Sequence, residues 1–436
     1  TFGKYSTALG LWIYDLLAGV PSEDKRKMLS KRRTLEIEPL LPSNTLKGSG
    51  LYAEYRTDDA RLTTEIIKTA IDLGADCINY IHAEDFIYTG EKISGIVIRD
   101  KLTGKEYNII SKTVVSAAGP WVDDIRAINH SKEGKTLHLT KGVHIVVPHE
   151  KLPVKHSIYF DVPDGRMIFA IPRGRVTYIG TTDTDFFGSK DEVRTSLKDA
   201  SYLIDAVNLA FPSISLTIGD IQSSWAGLRP LINQPGKKTF EISRKDEAFV
   251  SHSGLISIAG GKLTGYRKMS LKIVNLVSRL LKSEYNITSG KCRTRLIRLS
   301  GNSFKGSRGV RTYIELVSVS MKEYGLKPLM ARYLVQNYGD KTDLILSLMD
   351  HHPVTDPELR LIMAELQYCI QNEMIVSGTD FMIRRTGRLY FDIDSVKKYE
   401  ETILSVMARE FEWSPKRLIE ERNKLEMEIY HATHFE

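Results

Sequence analysis

Cysteine is scarce: the 436 residues hold three, Cys77, Cys292 and Cys369, with no CxxC pair and no even set. That excludes a disulfide framework and a cysteine-built zinc site, and suits a reducing, cytoplasmic setting. No apolar run approaches the ~20 residues that span a bilayer. No secretory signal is legible: the chain opens on Thr1, inside an apolar helical pattern, and an upstream segment is expected. No G-x-G-x-x-G follows a strand pattern, so the usual dinucleotide fingerprint is missing. Gly301, Gly306 and Gly309 have the wrong spacing and read as turn residues. Gly261-Lys262 resembles the end of a P-loop, but Leu263 stands where Ser or Thr must meet Mg²⁺. His351-His352 lacks partners in a metal-binding pattern. There is no internal repeat or low-complexity tract. The formal charge of +7 is modest. It favours anionic ligands or lipid headgroups, and alone does not choose between these and nucleic acid.

What is present is an ordinary folded composition, 42% hydrophobic and 26% charged, long enough for two or three domains. Leu9, Trp12, Ile13, Leu16, Leu17 and Val20 share one helical face. Ser22 is positioned to cap a second helix, with Glu23 and Asp24 in its first turn and a basic cluster from Lys25 to Arg33. Residues 58–74 read as a capped helix and 77–81 as a strand. Residues 93–99 and 107–110 form a hairpin around Thr103-Gly104, and 113–116 form another strand. Strand, helix, hairpin, strand is an α/β nucleotide-domain order. Between about 141 and 250 short strands alternate with Pro/Gly turns, interrupted by one helix near 197–211, and strand-like pieces resume at 223–225 and 240–243. Beyond 290 the pattern is helical, with candidates at 310–324, 327–338, 341–348, 356–372, 393–411 and 414–428. The expected architecture is an α/β domain over 1–290 with an inserted antiparallel sheet (about 141–250), then a helical domain over 291–436.

Four features carry chemistry. Residues 255–259 read as a buried strand that enters Gly260-Gly261, and helical spacing resumes after Thr264. Glycines permit close approach of a ligand, and the free N–H groups of Leu263, Thr264 and Gly265 at a helix start suit an anion. Lys262 sits at that mouth, and lysine is rarely buried without purpose. Arg229, in Trp225-Ala226-Gly227-Leu228-Arg229-Pro230-Leu231, is either a buried ion-pair partner or an anion clamp. His144 interrupts an apolar strand, and on local evidence a satisfied core histidine is the commoner reading and a catalytic one the sharper. A strand running into Ala117-Ala118-Gly119-Pro120-Trp121 offers a second close-packing turn. Asp183 and Asp185 are most simply turn residues.

Together these segments resemble the FAD-dependent glycerol-3-phosphate dehydrogenases of the D-amino-acid-oxidase-like flavoproteins. The match runs in order through Tyr14-Asp15-Leu16-Leu17-Ala18-Gly19, Asp59-Ala60-Arg61-Leu62, Ala117-Ala118-Gly119-Pro120-Trp121-Val122, Lys141-Gly142-Val143-His144-Ile145-Val146-Val147-Pro148, Ile179-Gly180-Thr181-Thr182-Asp183, Gly227-Leu228-Arg229-Pro230-Leu231 and Gly260-Gly261-Lys262-Leu263-Thr264-Gly265-Tyr266-Arg267-Lys268. Phe381-Met382-Ile383-Arg384-Arg385-Thr386 is similar to the family's C-terminal domain. The resemblance implies an α/β FAD-binding, Rossmann-like domain, truncated here, since the glycine-rich pyrophosphate site would precede Thr1; this chain alone is expected to hold FAD weakly or not at all. It implies oxidation of sn-glycerol 3-phosphate to dihydroxyacetone phosphate with FAD as hydride acceptor. His144 is the first candidate for the base and Lys262 the second. Arg229, with Lys262 and Thr182, would hold the substrate. Ala118, Gly119, Trp121, Gly260, Gly261, Leu263 and Thr264 would contact FAD. Quinone is the favoured electron acceptor and oxygen the alternative. A cytoplasmic location is expected; the basic cluster reads first as a solvated helix face and, as the alternative, as a patch for peripheral docking on the inner face of the membrane. Nucleic acid is not an expected partner, and a homodimer is left open. The alternative of another class is a non-catalytic flavoprotein-like binding module.

Overall fold

The structure, a computed structural model, describes residues 4–20, 22, 24–233 and 245–436. The expected strand piece at 240–243 and Glu23 lie outside the described residues. The chain starts with α1 (Lys4–Ala18), β1 (Lys27–Ser30), α2 (Lys31–Ile37), β2 (Gly48–Leu51) and α3 (Asp59–Asp72). The apolar stripe of α1 is exposed at Leu9, Trp12, Ile13, Leu16 and Leu17. The basic cluster is not one helix: Lys27–Ser30 pairs antiparallel with β2, and α2 begins only where the Ser30 hydroxyl accepts the N–H of Arg33. Asp58 caps α3 in the same way through Arg61 N–H, as the sequence pattern predicts.

β3 (Ile81–Thr89), β4 (Lys92–Asp100) and β5 (Glu106–Ile110) form an antiparallel sheet. The strand expected from Cys77 starts instead at Ile81. Tyr80 has φ 57°, a left-handed conformation that interrupts extended chain. Its hydroxyl donates to Asp380, and the Asn79 amide donates to the Met374 carbonyl, so these side chains are committed to the helical region.

β6 (Val115–Ser116) and α4 (Val122–Ile128) lead into a six-stranded antiparallel sheet: β7 (Leu137–Pro148), β8 (Ile158–Asp161), β9 (Met167–Arg173), β10 (Val176–Gly180), β11 (Thr184–Asp185) and, after α5 (Leu197–Ala210), β12 (Ser223–Ile232). One face buries Val143, Ile145, Val147, Ile168 and Ile179 against Leu203 and Val207 of α5. The strands alternate with period 2, so the residues between these point to the opposite face. That opposite face carries the candidate site.

β13 (Asp246–Val250) and β14 (Ile256–Gly260) close a second sheet, ordered β13-β14-β6, in which β14 runs parallel to β6. α6 (Tyr266–Tyr285) follows β14 after one 3-10 turn. The remainder is helical: α7 (Gly306–Glu323), α8 (Leu329–Tyr338), α9 (Thr342–Met349), α10 (Pro357–Asn372), a π-helical turn (Asp380–Arg385), α11 (Arg388–Phe391), α12 (Ile393–Glu410) and α13 (Pro415–Thr433). These helices share one apolar core around Met321, Leu334, Ile362, Phe381, Ile403 and Met407. Buried charge ties that core to α3. Arg61 forks onto Glu373 at 2.7 and 2.9 Å and donates to the Asn337 carbonyl, while Lys68 reaches Glu373 and the Tyr368 hydroxyl. Cys77, Cys292 and Cys369 are free thiols. Among the described residues no helix is long and apolar enough to cross a membrane.

Candidate active site

β7 lies between β12 and β10, and cross-strand partners share a face. Trp225 on β12 and Gly180 on β10 both stand opposite His144. The Trp225 indole stacks on the imidazole, with centroids 4.6 Å apart and planes 12° apart, and Phe169 lies 5.5 Å away. Gly180 is required there: a Cβ on it would come within 2.3 Å of His144 Cδ2. Burial, and secondarily the charge of Arg229, push the imidazole pKa down to about 4. The imidazole is therefore held in its neutral form at working pH. Its Nδ1 is buried and has no hydrogen-bond partner among the described residues.

Two residues toward the N-terminus of β7, Gly142 faces Gly227. Arg229 lies over Gly142, where a Cβ would meet Nη2 at 2.3 Å; nothing lies within 4 Å of a Cβ built on Gly227. The result is a shallow floor of glycine, with His144 and Trp225 on one side and a guanidinium on the other. Arg229 is held by the Thr182 carbonyl at 3.1 Å, Asp183 Oδ1 at 3.2 Å and Thr181 Oγ1 at 2.9 Å. Asp183 thus does more than close a turn, and Thr181 was not singled out in the sequence; neither has a local signal, because both act through a strand distant in the chain. Thr182 is 1% exposed, and its hydroxyl accepts the N–H of Val143 at 3.0 Å. It supports the site from beneath. Asp185 bonds His138.

The expected cofactor residues collect on the second sheet. Parallel pairing of β6 with β14 (Val115 with Ile256, Ser116 with Ser257) sets two strand-to-turn junctions side by side. One is Ala118-Gly119-Pro120-Trp121, where Gly119 has φ 54° and a 3-10 turn leads into α4. The other is Gly260-Gly261, with φ 73° and 84°, leading through Leu263–Gly265 into α6. Trp121, Lys262, Leu263 and Thr264 are exposed, and the hydroxyl of Ser116 is buried without a partner among the described residues. Paired strand ends of this kind are where nucleotides bind in α/β sheets, and these residues fit a flavin dinucleotide. β12 packs against β14, bringing the two sheets together; Lys262 belongs to this second group. A separate cavity of about 330 Å³ lies between the edge of β12 and α13, lined by Ser224, Trp225, Tyr390 and His431, and includes none of His144, Arg229 or Lys262.

Residues 7–267 match the family described as FAD dependent oxidoreductase, and residues 292–418 match the C-terminal domain of alpha-glycerophosphate oxidase. The chain is 46% identical over 437 residues to aerobic glycerol-3-phosphate dehydrogenase from Staphylococcus aureus (strain bovine RF122 / ET3-1), spanning all of this chain and 78% of that protein. Among solved structures it is similar to the glycerol-3-phosphate dehydrogenase from Bacillus halodurans complexed with FAD, with TM-score 0.85 and 43% identity, covering 93% of this chain and 80% of the other. With a glycine-floored basic site on one sheet, a flavin-shaped pair of turns on the other and these likenesses over both halves, the chain belongs to the FAD-dependent oxidoreductases, among the aerobic glycerol-3-phosphate dehydrogenases.

Proposed function

We propose that this chain oxidises sn-glycerol 3-phosphate to dihydroxyacetone phosphate. The observation that carries this is a neutral, half-buried imidazole two residues along β7 from a guanidinium fixed over Gly142, with the exposed Gly227 beside them. FAD, when bound, supplies the acceptor for the C2 hydride. The chain's own residues do the rest. Arg229 binds the phosphate or orients the C2 hydroxyl, its fork pre-set by Thr181, Thr182 and Asp183. His144 takes the hydroxyl proton as the C–H bond breaks; Lys262 is the second candidate for that role. Ala118, Gly119, Trp121, Gly260 and Gly261 would hold the FAD. The N–H groups of Leu263 and Thr264 and the ammonium of Lys262 would favour negative charge on the flavin; the N–H of Gly265, expected to be free, is instead given to the Lys262 carbonyl at 2.8 Å.

Quinone is the proposed final acceptor. The likeness of 292–418 to an alpha-glycerophosphate oxidase domain is the one observation that favours oxygen as a second reading. Peripheral membrane attachment belongs to the same proposal: α1 exposes Leu9, Trp12, Leu16 and Leu17, and Lys25, Lys27 and Lys31 are exposed close by in the chain. The decisive experiment mixes the FAD-loaded protein anaerobically with sn-glycerol 3-phosphate and follows flavin absorbance. Bleaching is expected. Bleaching by 2-amino acids or other 2-hydroxy acids, with none by glycerol 3-phosphate, would overturn the substrate.

A further inference from the structure

A histidine base is commonly oriented by a hydrogen bond on its second ring nitrogen. His144 has none: Nδ1 is buried without a partner among the described residues. Histidine χ2 is intrinsically broad, so something else must hold the ring. The Trp225 stack supplies a plane on one side, with Phe169 and the bare Gly180 completing the slot. Trp225 is itself backed by the helical region. Tyr390 and Phe391 of α11 meet its ring at 5.2 and 5.5 Å, and Tyr178 meets both Trp225 and Phe391 at about 6 Å.

The four-residue α11 is firmly anchored. Arg173 lies 3.7 Å over the Phe391 ring, and the Ser223 hydroxyl donates to the Tyr390 carbonyl at 2.6 Å. Arg388 is buried against Glu365 at 2.5 Å and also bonds Asp392, which pairs with Arg175 of the sheet domain. Three ion pairs, a cation–π contact and a hydrogen bond thus clamp a pair of aromatic rings behind the indole.

We infer that Trp225 is a positioning residue for His144, and that Tyr390 and Phe391 extend this support into the helical region, making that region a working part of the oxidation site. The inference rests on the reading of His144 as the base. Stacking fixes the imidazole plane, while offset aromatic contacts behind it fix the indole. The charged group bearing on the imidazole is Arg229 of β12, itself bonded to Asp183 after β10; β9 and β10 present Phe169 and Gly180, and the phenols of Tyr178 and Tyr390 are uncharged at working pH, that of Tyr390 being pushed up to about 12 by burial first.

The test uses enzyme loaded with saturating FAD and reduced anaerobically by sn-glycerol 3-phosphate across pH, with circular dichroism and thermal unfolding as the check on folding. Trp225→Leu is expected to slow the limiting reduction rate about tenfold and Phe391→Ala about threefold, the range of one aromatic pair, with KM within about twofold. The acid limb moves up in both variants as water reaches the imidazole. The substrate phosphate titrates near pH ~6 in every variant, so it cancels in the ratio to wild type. Trp225→Phe and Phe391→Tyr keep a ring in place and should restore both rate and pH profile. The double variant should be no slower than Trp225→Leu alone, because the two residues act through one ring. Wild-type rate and profile in Trp225→Leu, or additive losses without any shift of the acid limb, would overturn the inference. His144→Asn reducing flavin at the wild-type rate would instead overturn the base; His144→Asn slow with Trp225→Leu unchanged would overturn the inference alone.

Discussion

Two glycines do as much at the residue scale as the charged side chains they face. Gly180 leaves room for the His144 ring and Gly142 leaves room for the Arg229 guanidinium. Neither has the positive φ that would make glycine obligatory for the backbone. Both are needed for space. Gly180→Ala should therefore fold and bind flavin, yet displace an imidazole already pinned by Trp225 and Phe169. A misplacement near 1 Å can cost about a hundredfold in rate; a loss of at least tenfold in flavin reduction, with stability lowered by about 1–3 kcal/mol from overpacking, is the expected outcome, and an unchanged rate would show that the ring can yield. Arg229→Lys keeps the charge and loses the fork. Three acceptors, on Thr181, Thr182 and Asp183, are set for a planar donor group, so KM should rise more than tenfold. Guanidinium added to the assay would restore part of the activity.

At the scale of elements, the contact between α3 and the helical region is built on buried charge. Arg61 and Glu373 have side chains 5% and 0% exposed. Removing one member of such a pair leaves a buried charge, at a cost of about 3–5 kcal/mol. Arg61→Ala should lose stability in that range by denaturant unfolding. Burial pushes the Glu373 carboxyl up, but hydrogen bonds and charge from Arg61, then Lys68, bring it below its ordinary 4.5. Its folded value is the lower one, so its stabilisation is complete above pH 4.5 and is lost as pH falls through the folded value. The gap between wild type and Arg61→Ala should accordingly narrow in acid. A gap that widened below pH 4.5 would contradict the pairing. Asn79 and Tyr80 show the same contact at the level of backbone: they give up strand geometry to reach Met374 and Asp380.

For the whole molecule, the arrangement separates three tasks. On the proposed reading the six-stranded sheet would carry the acid–base and anion groups and the smaller sheet would offer turns for the flavin, while the helical region backs the six-stranded sheet through α11 and holds α3. A basic stretch near an exposed apolar helix remains at one end. If that end meets a membrane, the protein should sediment with vesicles containing anionic lipid and less with neutral ones, with the difference fading as salt rises, since each surface cation near anionic lipid contributes ~1 kcal/mol. Equal binding to both would remove the electrostatic part of the proposal. Reoxidation of the reduced flavin separates the acceptors: a quinone analogue should outpace air-saturated buffer, and the reverse order would favour the oxidase reading.

Much of this was legible from residue order alone. Capped helices such as 58–74, the hairpin around Thr103-Gly104, and the strand–glycine–helix junctions at 117–121 and 255–266 depend on local propensities and on where apolar residues recur. Those signals act within a few residues of chain. The same locality explains the failures: the strand expected at Cys77 yields to contacts some 300 residues away, and the basic cluster is divided because Lys27–Ser30 finds a partner strand. His144 and Arg229 could be named from their settings, but their company could not. Thr181, Asp183, Trp225, Tyr390 and Phe391 acquire roles only when β7, β10, β12 and α11 meet. Sequence determined which residues carry charge, turn the chain or fill a core, because these are properties of side chains and near neighbours. Tertiary structure decided which of them share a face, because cross-strand register and the seating of α11 arise from contacts between segments far apart in the chain.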